Sequence, residues 1–347
     1  MRKYQRRFAS QYDLVLSNYG IFLGKHSKRL VVKQPGHKTK EYAVSKIKHI
    51  LVLNSSVSVS SAAVYLCAKN NIPIDYLDYT GRPFARLAAP EQPAWHYGVY
   101  QVQAEDNGKA VHLAKAFVEG KIRNQLSLIK YYSKYRKGKD DSFRKLFNKE
   151  SRLIDSYLQE LEKIREKGKI KSKRGHLFGI EGRAAGAYWS VVKYILRKRT
   201  EFEGRQHREA RDLVNVLLNY GYGILYSRVW GALMLAGLNV QISFLHAPQY
   251  QKPTLVFDVV EEFRSQVVDR VVISMLNRGE KFHLSNGRLS RESRNKLVEN
   301  IFERFNTPVR FGGRERTIQE VILYQCRRIG KYLKDEIPSY QPFLAKW

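Results

Sequence analysis

Residues 242–269 read ISFLHAPQYQKPTLVFDVVEEFRSQVVD. An apolar run ends at His246, a loop bounded by prolines follows, and a second apolar run leads into Asp258. Glu261 and Glu262 come three and four residues later, so one turn of helix carries both near Asp258. One imidazole and several carboxylates, each following a hydrophobic segment, are a donor set suited to a hard or borderline divalent cation. The same letters have a plainer reading. Asp258-x-x-Glu261 before an apolar-periodic run is also a capping-box-like helix start, with Asp as N-cap and Glu at the third position.

Outward from this stretch the second part of the chain keeps a helical period. A long amphipathic pattern through Leu113, Phe117, Ile122, Leu126 and Ile129 ends near Arg136. Further patterns cover 142–165, 181–199, 212–236, 258–277, 291–305 and 317–335, with Gly312-Gly313 as a turn before the last. Residues 212–237, DLVNVLLNYGYGILYSRVWGALMLAG, are apolar nearly all round, which makes this helix central. Gly221 and Gly223 each cost it about 1 kcal/mol relative to Ala, a sign of close packing against neighbours.

Glu181 lies in GHLFGIEGRAAGAYWSVVKYILRKR, residues 175–199. On a helix it shares a stripe with Ala184, Ala185, Tyr188, Val192 and Ile195, the apolar side. A carboxylate aimed into a core costs several kcal/mol unless a cation or hydrogen bonds compensate it. An acid at a helix start, near Gly179, is the competing account.

Residues 13–90 read differently. Short β-branched runs at 14–17, 21–24, 29–33, 41–44, 47–53 and 72–77 are punctuated by turn signals, with a short helix over 60–69. The expected fold is α+β in two domains. A small β-rich N-terminal domain spans 1–90, a linker 91–96, and a larger all-α domain 97–347.

The chain has 347 residues and carries 62 Lys plus Arg against 32 Asp plus Glu, a formal net charge of +30. With 43% hydrophobic residues it is globular and not a disordered basic tail. Such an excess of positive charge calls for a polyanion, and nucleic acid is the first choice. No apolar run approaches the roughly 20 residues of a membrane span. The N-terminal MRKYQRRF has no long apolar segment behind it, so no secretory signal is read there. Cys67 and Cys326 lack metal-ligand spacing, which fits a reducing cytoplasm.

Four blocks, GIEGRAAGAYW, DLVNVLLNYGYGILYSRV, GLNVQISFLH and LVFDVVEEFRSQVVDR, together resemble CRISPR-associated protein one, the endonuclease and integrase family of spacer acquisition. NIPIDYLDYTGRPFARLAAP matches the family's β domain, and KIRNQ at 121–125 and Tyr340–Phe343 fit its helical domain. Asn239-Val240 stand where the family usually has Asp-Pro, Ser243 where it has Gly, and the prolines it often carries before Asp212 are missing. None of these departures touches a ligand position.

The resemblance implies that Glu181, His246 and Glu261 are the catalytic metal ligands, with Asp258 and Glu262 as close supports. It implies Mg²⁺ or Mn²⁺ as cofactor, and double-stranded DNA, a second copy of the chain and CRISPR-associated protein two as partners. The reaction implied is transesterification, in which a 3′-hydroxyl of new spacer DNA attacks a phosphodiester of the array. Two alternatives share the sequence: a catalytically idle scaffold for DNA ends, and a transposon-encoded integrase of the same family. Basic residues supply a DNA track. Lys121, Arg123, Lys130, Lys134, Arg136 and Lys137 recur along one helix, Lys193, Arg197, Lys198 and Arg199 extend the Glu181 helix, and Arg205, Arg208, Arg211 and Arg264 follow. His176, His207 and His283 are read as surface or loop residues.

Overall fold

Short β-branched runs separated by turns organise the first part of the chain into two four-stranded sheets. The computed structural model describes residues 12–79, 81–89, 96–134, 136, 138, 140–206 and 210–345. Contacts divide it into two compact units, Met1–Gln92 and Pro93–Trp347.

In the first unit the strands are β1 (Tyr12–Leu16), β2 (Phe22–His26), β3 (Arg29–Lys33), β4 (Lys40–Ala43), β5 (Ile47–Val52) and β6 (Ser58–Val59). Helix α1 (Ser61–Lys69) then leads to β7 (Ile74–Leu77) and β8 (Pro83–Leu87). One sheet has the order β1-β5-β7-β8 and the other β4-β3-β2-β6. Strand β1 runs parallel to β5, and β5 parallel to β7, so each step needs a crossover rather than a tight turn. Strands β2 to β4 of the second sheet are strung along the first crossover, and β6 and α1 along the next. Leu14, Leu16, Ile50, Val52 and Ile74 from one sheet, Leu23, Leu30 and Val32 from the other, and Ala63, Leu66 and Cys67 of α1 close a single core. Across the first sheet, β1 sets Asp13 opposite His49 and β7 sets Asp75 opposite Arg86. His49 Nε2 lies 2.8 Å from Asp75 Oδ2, and Arg86 grips the same carboxylate at 2.5 and 2.7 Å. Burial works against the Asp75 charge, but His49 and Arg86 outweigh it and hold the carboxyl well below its usual range.

Among its described residues the second unit is mostly helical but carries two hairpins, Leu284–Ser285 with Arg288–Leu289 and Pro308–Phe311 with Arg314–Thr317, so the all-α expectation is corrected to mostly helical. Its helices are α2 (Gly98–Gln103), α3 (Lys109–Ser133), α4 (Asp141–Glu162), α5 (Arg174–Leu196), α6 (Leu213–Leu235) and α7 (Thr254–Val260). A π turn at Ser265–Asp269 passes into α8 (Arg270–Asn277), and α9 (Arg291–Asn306) and α10 (Ile318–Leu333) follow. Helix α6 is the central rod. Asp212 caps it by accepting from Asn215 N at 2.9 Å. A Cβ at Gly221 would stand 2.5 Å from Val268 Cγ1, which explains a glycine within a buried helix. Two boundaries depart from expectation. Helix α5 begins at Arg174, so Glu181 sits in its third turn and no helix-start role accounts for it. Helix α7 begins at Thr254 directly after Pro253, so Asp258 is no N-cap. Among the described residues no helix is long and apolar enough to cross a membrane.

Candidate active site

Asp258 is fully buried in α7, and four donors converge on its two oxygens. Oδ2 accepts from Phe244 N at 2.7 Å and Leu245 N at 2.9 Å. Oδ1 accepts from His246 N at 2.9 Å and from His246 Nδ1 at 2.7 Å. Because the carboxylate is surrounded by donors, the imidazole proton belongs on Nδ1, and Nε2 faces away from Asp258. The Phe178 and Phe257 rings meet the His246 ring edge-on at 5.3 and 5.9 Å. Burial disfavours the His246 cation, yet the Asp258 bond and the Asp258, Glu261 and Glu181 charges leave its pKa raised above the ordinary value.

Glu181 on α5 and Glu261 at the end of α7 meet on one cation from a third helix. Lys121 Nζ of α3 bonds to Glu181 Oε1 and lies 2.8 Å from Glu261 Oε2. Arg264 pairs with the other oxygen of Glu261 at 3.2 Å and donates to the Tyr226 hydroxyl. The Arg264 guanidinium also lies over the Tyr222 ring, as does that of Arg205, at 4.9 and 5.2 Å. Tyr222 and Tyr188 donate their hydroxyls to buried Asp269 at 2.5 and 2.8 Å. Burial presses the Glu261 carboxyl upward, and Arg264 and Lys121 more than reverse it. Burial likewise works against the Lys121 charge, and Glu261 and Glu181 keep that pKa raised.

The structure thus gathers Glu181 and Glu261 on one ammonium and ties His246 to Asp258 close enough for both glutamates to act on its charge. Among the described residues no three His, Cys, Asp or Glu side chains stand close enough to hold a metal ion as they are placed. The donor chemistry nevertheless fits one. Two carboxylates already share a cation, and Glu261 Oε2 is buried with a charge beside it but no properly aimed hydrogen bond. An imidazole held through Nδ1 by a carboxylate is the arrangement that presents Nε2 to a metal.

Glu262 does not support this site. Consecutive helical residues point about 100° apart, and Glu262 turns away from the side that carries Glu261. There it accepts from the Tyr340 hydroxyl at 2.5 Å, Phe343 N at 2.8 Å and Gln325 Nε2 at 3.1 Å, anchoring the C-terminal segment. Asn124 completes the anchor, donating to Glu262 O at 2.8 Å and Phe343 O at 2.7 Å. Burial pushes the Glu262 carboxyl up to about 7, against the bonds from Tyr340, Phe343 and Gln325. A folded-state value above the ordinary one means that the folded protein holds this proton more tightly than the unfolded chain. Its contribution to stability is therefore greatest below about pH 4.5 and is lost as pH rises through about 7. Glu262→Gln should flatten that dependence. Glu262→Ala should cost about 3 kcal/mol, since it strands buried donors, and should open the Tyr340–Phe343 segment to chymotrypsin. Thermal melts from pH 5 to 8, alongside limited proteolysis, check both outcomes.

The expected DNA track is unevenly placed. Arg211 and Arg199 are exposed, Lys193 pairs with Glu203, and Arg197 stacks on Tyr194 at 3.5 Å while bonding Asp140 at 2.8 Å. Arg205 bonds Asn215 and Asn219 at 2.9 and 2.6 Å, and Arg264 is turned inward on Glu261. Lys121 is not a track residue but a member of the site. Arg208, His207, Lys137 and 91–95 of the linker lie outside the described residues.

The family model described as "CRISPR associated protein Cas1" matches residues 14–303. "CRISPR-associated endonuclease Cas1 1" of Archaeoglobus fulgidus is 31% identical over 346 residues, covering 96% of this chain and 99% of that one. Among solved structures, a casposase bound to integration product has a TM-score of 0.80 at 23% identity, covering 95% of this chain and 93% of its own. A chain of a Cas6-RT-Cas1–Cas2 complex has a TM-score of 0.77 at 22% identity, covering 97% of this chain and 36% of its own.

Proposed function

The chain belongs to the CRISPR-associated Cas1 family of endonucleases and integrases, and from that premise we propose that it inserts DNA by metal-dependent transesterification. The observation that carries the reading is the pairing of Glu181 and Glu261 across one cation, beside an imidazole locked by Asp258. In this reading a 3′-hydroxyl of incoming DNA forms a new ester bond at a phosphorus of the array. The bond to the leaving oxygen breaks, and the hydroxyl proton passes in the end to that oxygen. With water as the attacking group the same site nicks DNA.

Glu181, Glu261 and His246 Nε2 would hold the divalent ion. Bound there, Mg²⁺ or Mn²⁺ supplies Lewis-acid stabilisation of charge on phosphate and leaving oxygen. Asp258 fixes which imidazole nitrogen is offered, and Arg264 holds the Glu261 carboxylate in place from its other oxygen. The proposed partners are double-stranded DNA, Cas2 and a second copy of the chain.

The test is joining of a labelled 3′-hydroxyl oligonucleotide to a duplex in Mn²⁺, with and without Cas2. EDTA should stop joining and added Mn²⁺ restore it; joining that persists in EDTA would refute the metal reading. The DNA surface makes its own prediction. With +30 formal charge and about six phosphates neutralised, log affinity should fall against log salt with a slope near about −5. Anisotropy titrations from low to moderate salt measure that slope.

A further inference from the structure

Lys121 enters the site from the middle of α3, whose neighbouring side chains Ile122, Gln125 and Leu126 are buried. The Lys121 side chain is 12% exposed, Glu181 12% and Glu261 4%. Two carboxylates on separate helices, nearly out of water, share its ammonium. Without a cation between them they would repel, and one would have to move away or take up a proton. Lysine answers that repulsion with a single charge on a flexible four-carbon stem. A divalent ion answers it with two charges and demands several oxygens at once.

The other cation on Glu261 cannot play this part. Arg264 lies against Oε1 and is packed over the Tyr222 and Tyr226 rings, whereas Lys121 takes Oε2, the oxygen left without an aimed hydrogen bond. The oxygens Lys121 holds, Glu181 Oε1 and Glu261 Oε2, are those that two different helices offer to one point. An ammonium and a metal ion cannot both bind them at contact distance.

We infer that Lys121 is a built-in counter-ion that holds the Glu181–Glu261 pair together in the ion-free protein and is displaced when a divalent cation binds, competing with it for the same two oxygens. This rests on the metal reading proposed above. The competition sets the ion affinity lower than the two glutamates would otherwise give and keeps the site assembled before the ion arrives.

The experiment is calorimetric titration of Mn²⁺ into the full-length protein, Lys121→Met and Lys121→Arg, with melting curves of each in EDTA. Removing a unit charge a few ångströms from the ion should tighten Mn²⁺ binding by Lys121→Met roughly tenfold or more. Lys121→Arg, whose planar fork grips two carboxylates more firmly, should bind Mn²⁺ more weakly than the parent. In EDTA the order of stability should reverse, with Lys121→Met lowest. A lysine that merely supports the fold would weaken metal binding in both variants, and that result would overturn the inference. If Lys121→Met does not fold, Lys121→Arg against the parent decides: equal or tighter binding refutes the competition. Absence of Mn²⁺ binding in all three proteins would overturn the metal reading itself, and the inference with it.

Discussion

Joining by His246→Ala should fall by about a thousandfold or more, to the level of protein-free controls, while DNA affinity changes by less than about threefold. The separation follows from where the side chain stands. His246 contributes one ring nitrogen to the proposed ion and none to the basic surface, and its other nitrogen is spent on Asp258 at 2.7 Å. The fold should survive the loss. Asp258 keeps three backbone donors, Phe244 N, Leu245 N and His246 N, so the segment before the loop stays bound. The ring itself is 28% exposed and packs edge-on against Phe178 and Phe257, so its removal should cost about 1–2 kcal/mol. Joining, anisotropy and thermal melting on one preparation settle the matter. A variant that still joins at more than a tenth of the parent rate would remove His246 from the reaction.

The residues that were readable in the sequence are those whose role is written in near neighbours. Asp212 precedes a nearly all-apolar run and caps it, and the β-branched runs through Leu14 and Leu16 or Ile50 and Val52 are strands that feed one core. Glu181 stood out because a carboxylate on an apolar stripe needs a compensating cation. Its helix, however, starts seven residues earlier than the pattern suggested, at Arg174. Gly175, Gly179 and Gly182 meet no neighbour that a Cβ would touch, and each costs only about 1 kcal/mol, which packing of α5 against α4 overrides. The hairpins had a signal too. Asn286-Gly287 and Gly312-Gly313 adopt positive φ at both positions, the signature of a two-residue primed turn, yet the flanking strands are too short to show a period.

Other roles depend on contacts distant in sequence, and no local pattern encodes them. Lys121 carries the same letters as an ordinary basic surface residue; only the meeting of α3, α5 and α7 makes it the partner of Glu181 and Glu261. Glu262 and Glu261 are adjacent, and their separation onto different sides was within reach of simple helical geometry. What Glu262 would find there, Tyr340 and Phe343 some 80 positions on, was not. Asp258 is the instructive case. The spacing Asp258-x-x-Glu261 is that of a cap, and Asp258 does satisfy backbone N–H groups, but those of the segment twelve to fourteen residues before it.

That placement makes Asp258→Asn the second large effect to expect. The substitution keeps shape and volume, yet four donors face two acceptor oxygens, and an amide has only one. If its oxygen serves Phe244 N and Leu245 N, its NH₂ confronts His246 N and Nδ1; if it is flipped, the other pair is stranded. In the first pose His246 N loses its acceptor and the imidazole must switch tautomer so that Nδ1 accepts; in the second Phe244 N and Leu245 N are stranded, at about 1–3 kcal/mol per stranded donor. Taking about 3 kcal/mol in total, the second unit should melt roughly 6–12 °C lower. Loss of the carboxylate behind the imidazole should also weaken metal affinity and joining by about 10- to 100-fold, less than removal of the ring itself. The comparison with His246→Ala is therefore diagnostic. His246→Ala should remove activity with little loss of stability, Asp258→Asn should reduce both, and the double variant should retain the stability loss of Asp258→Asn. An Asp258→Asn protein that melts and joins like the parent would mean that this carboxylate neither holds the segment nor orients the ring.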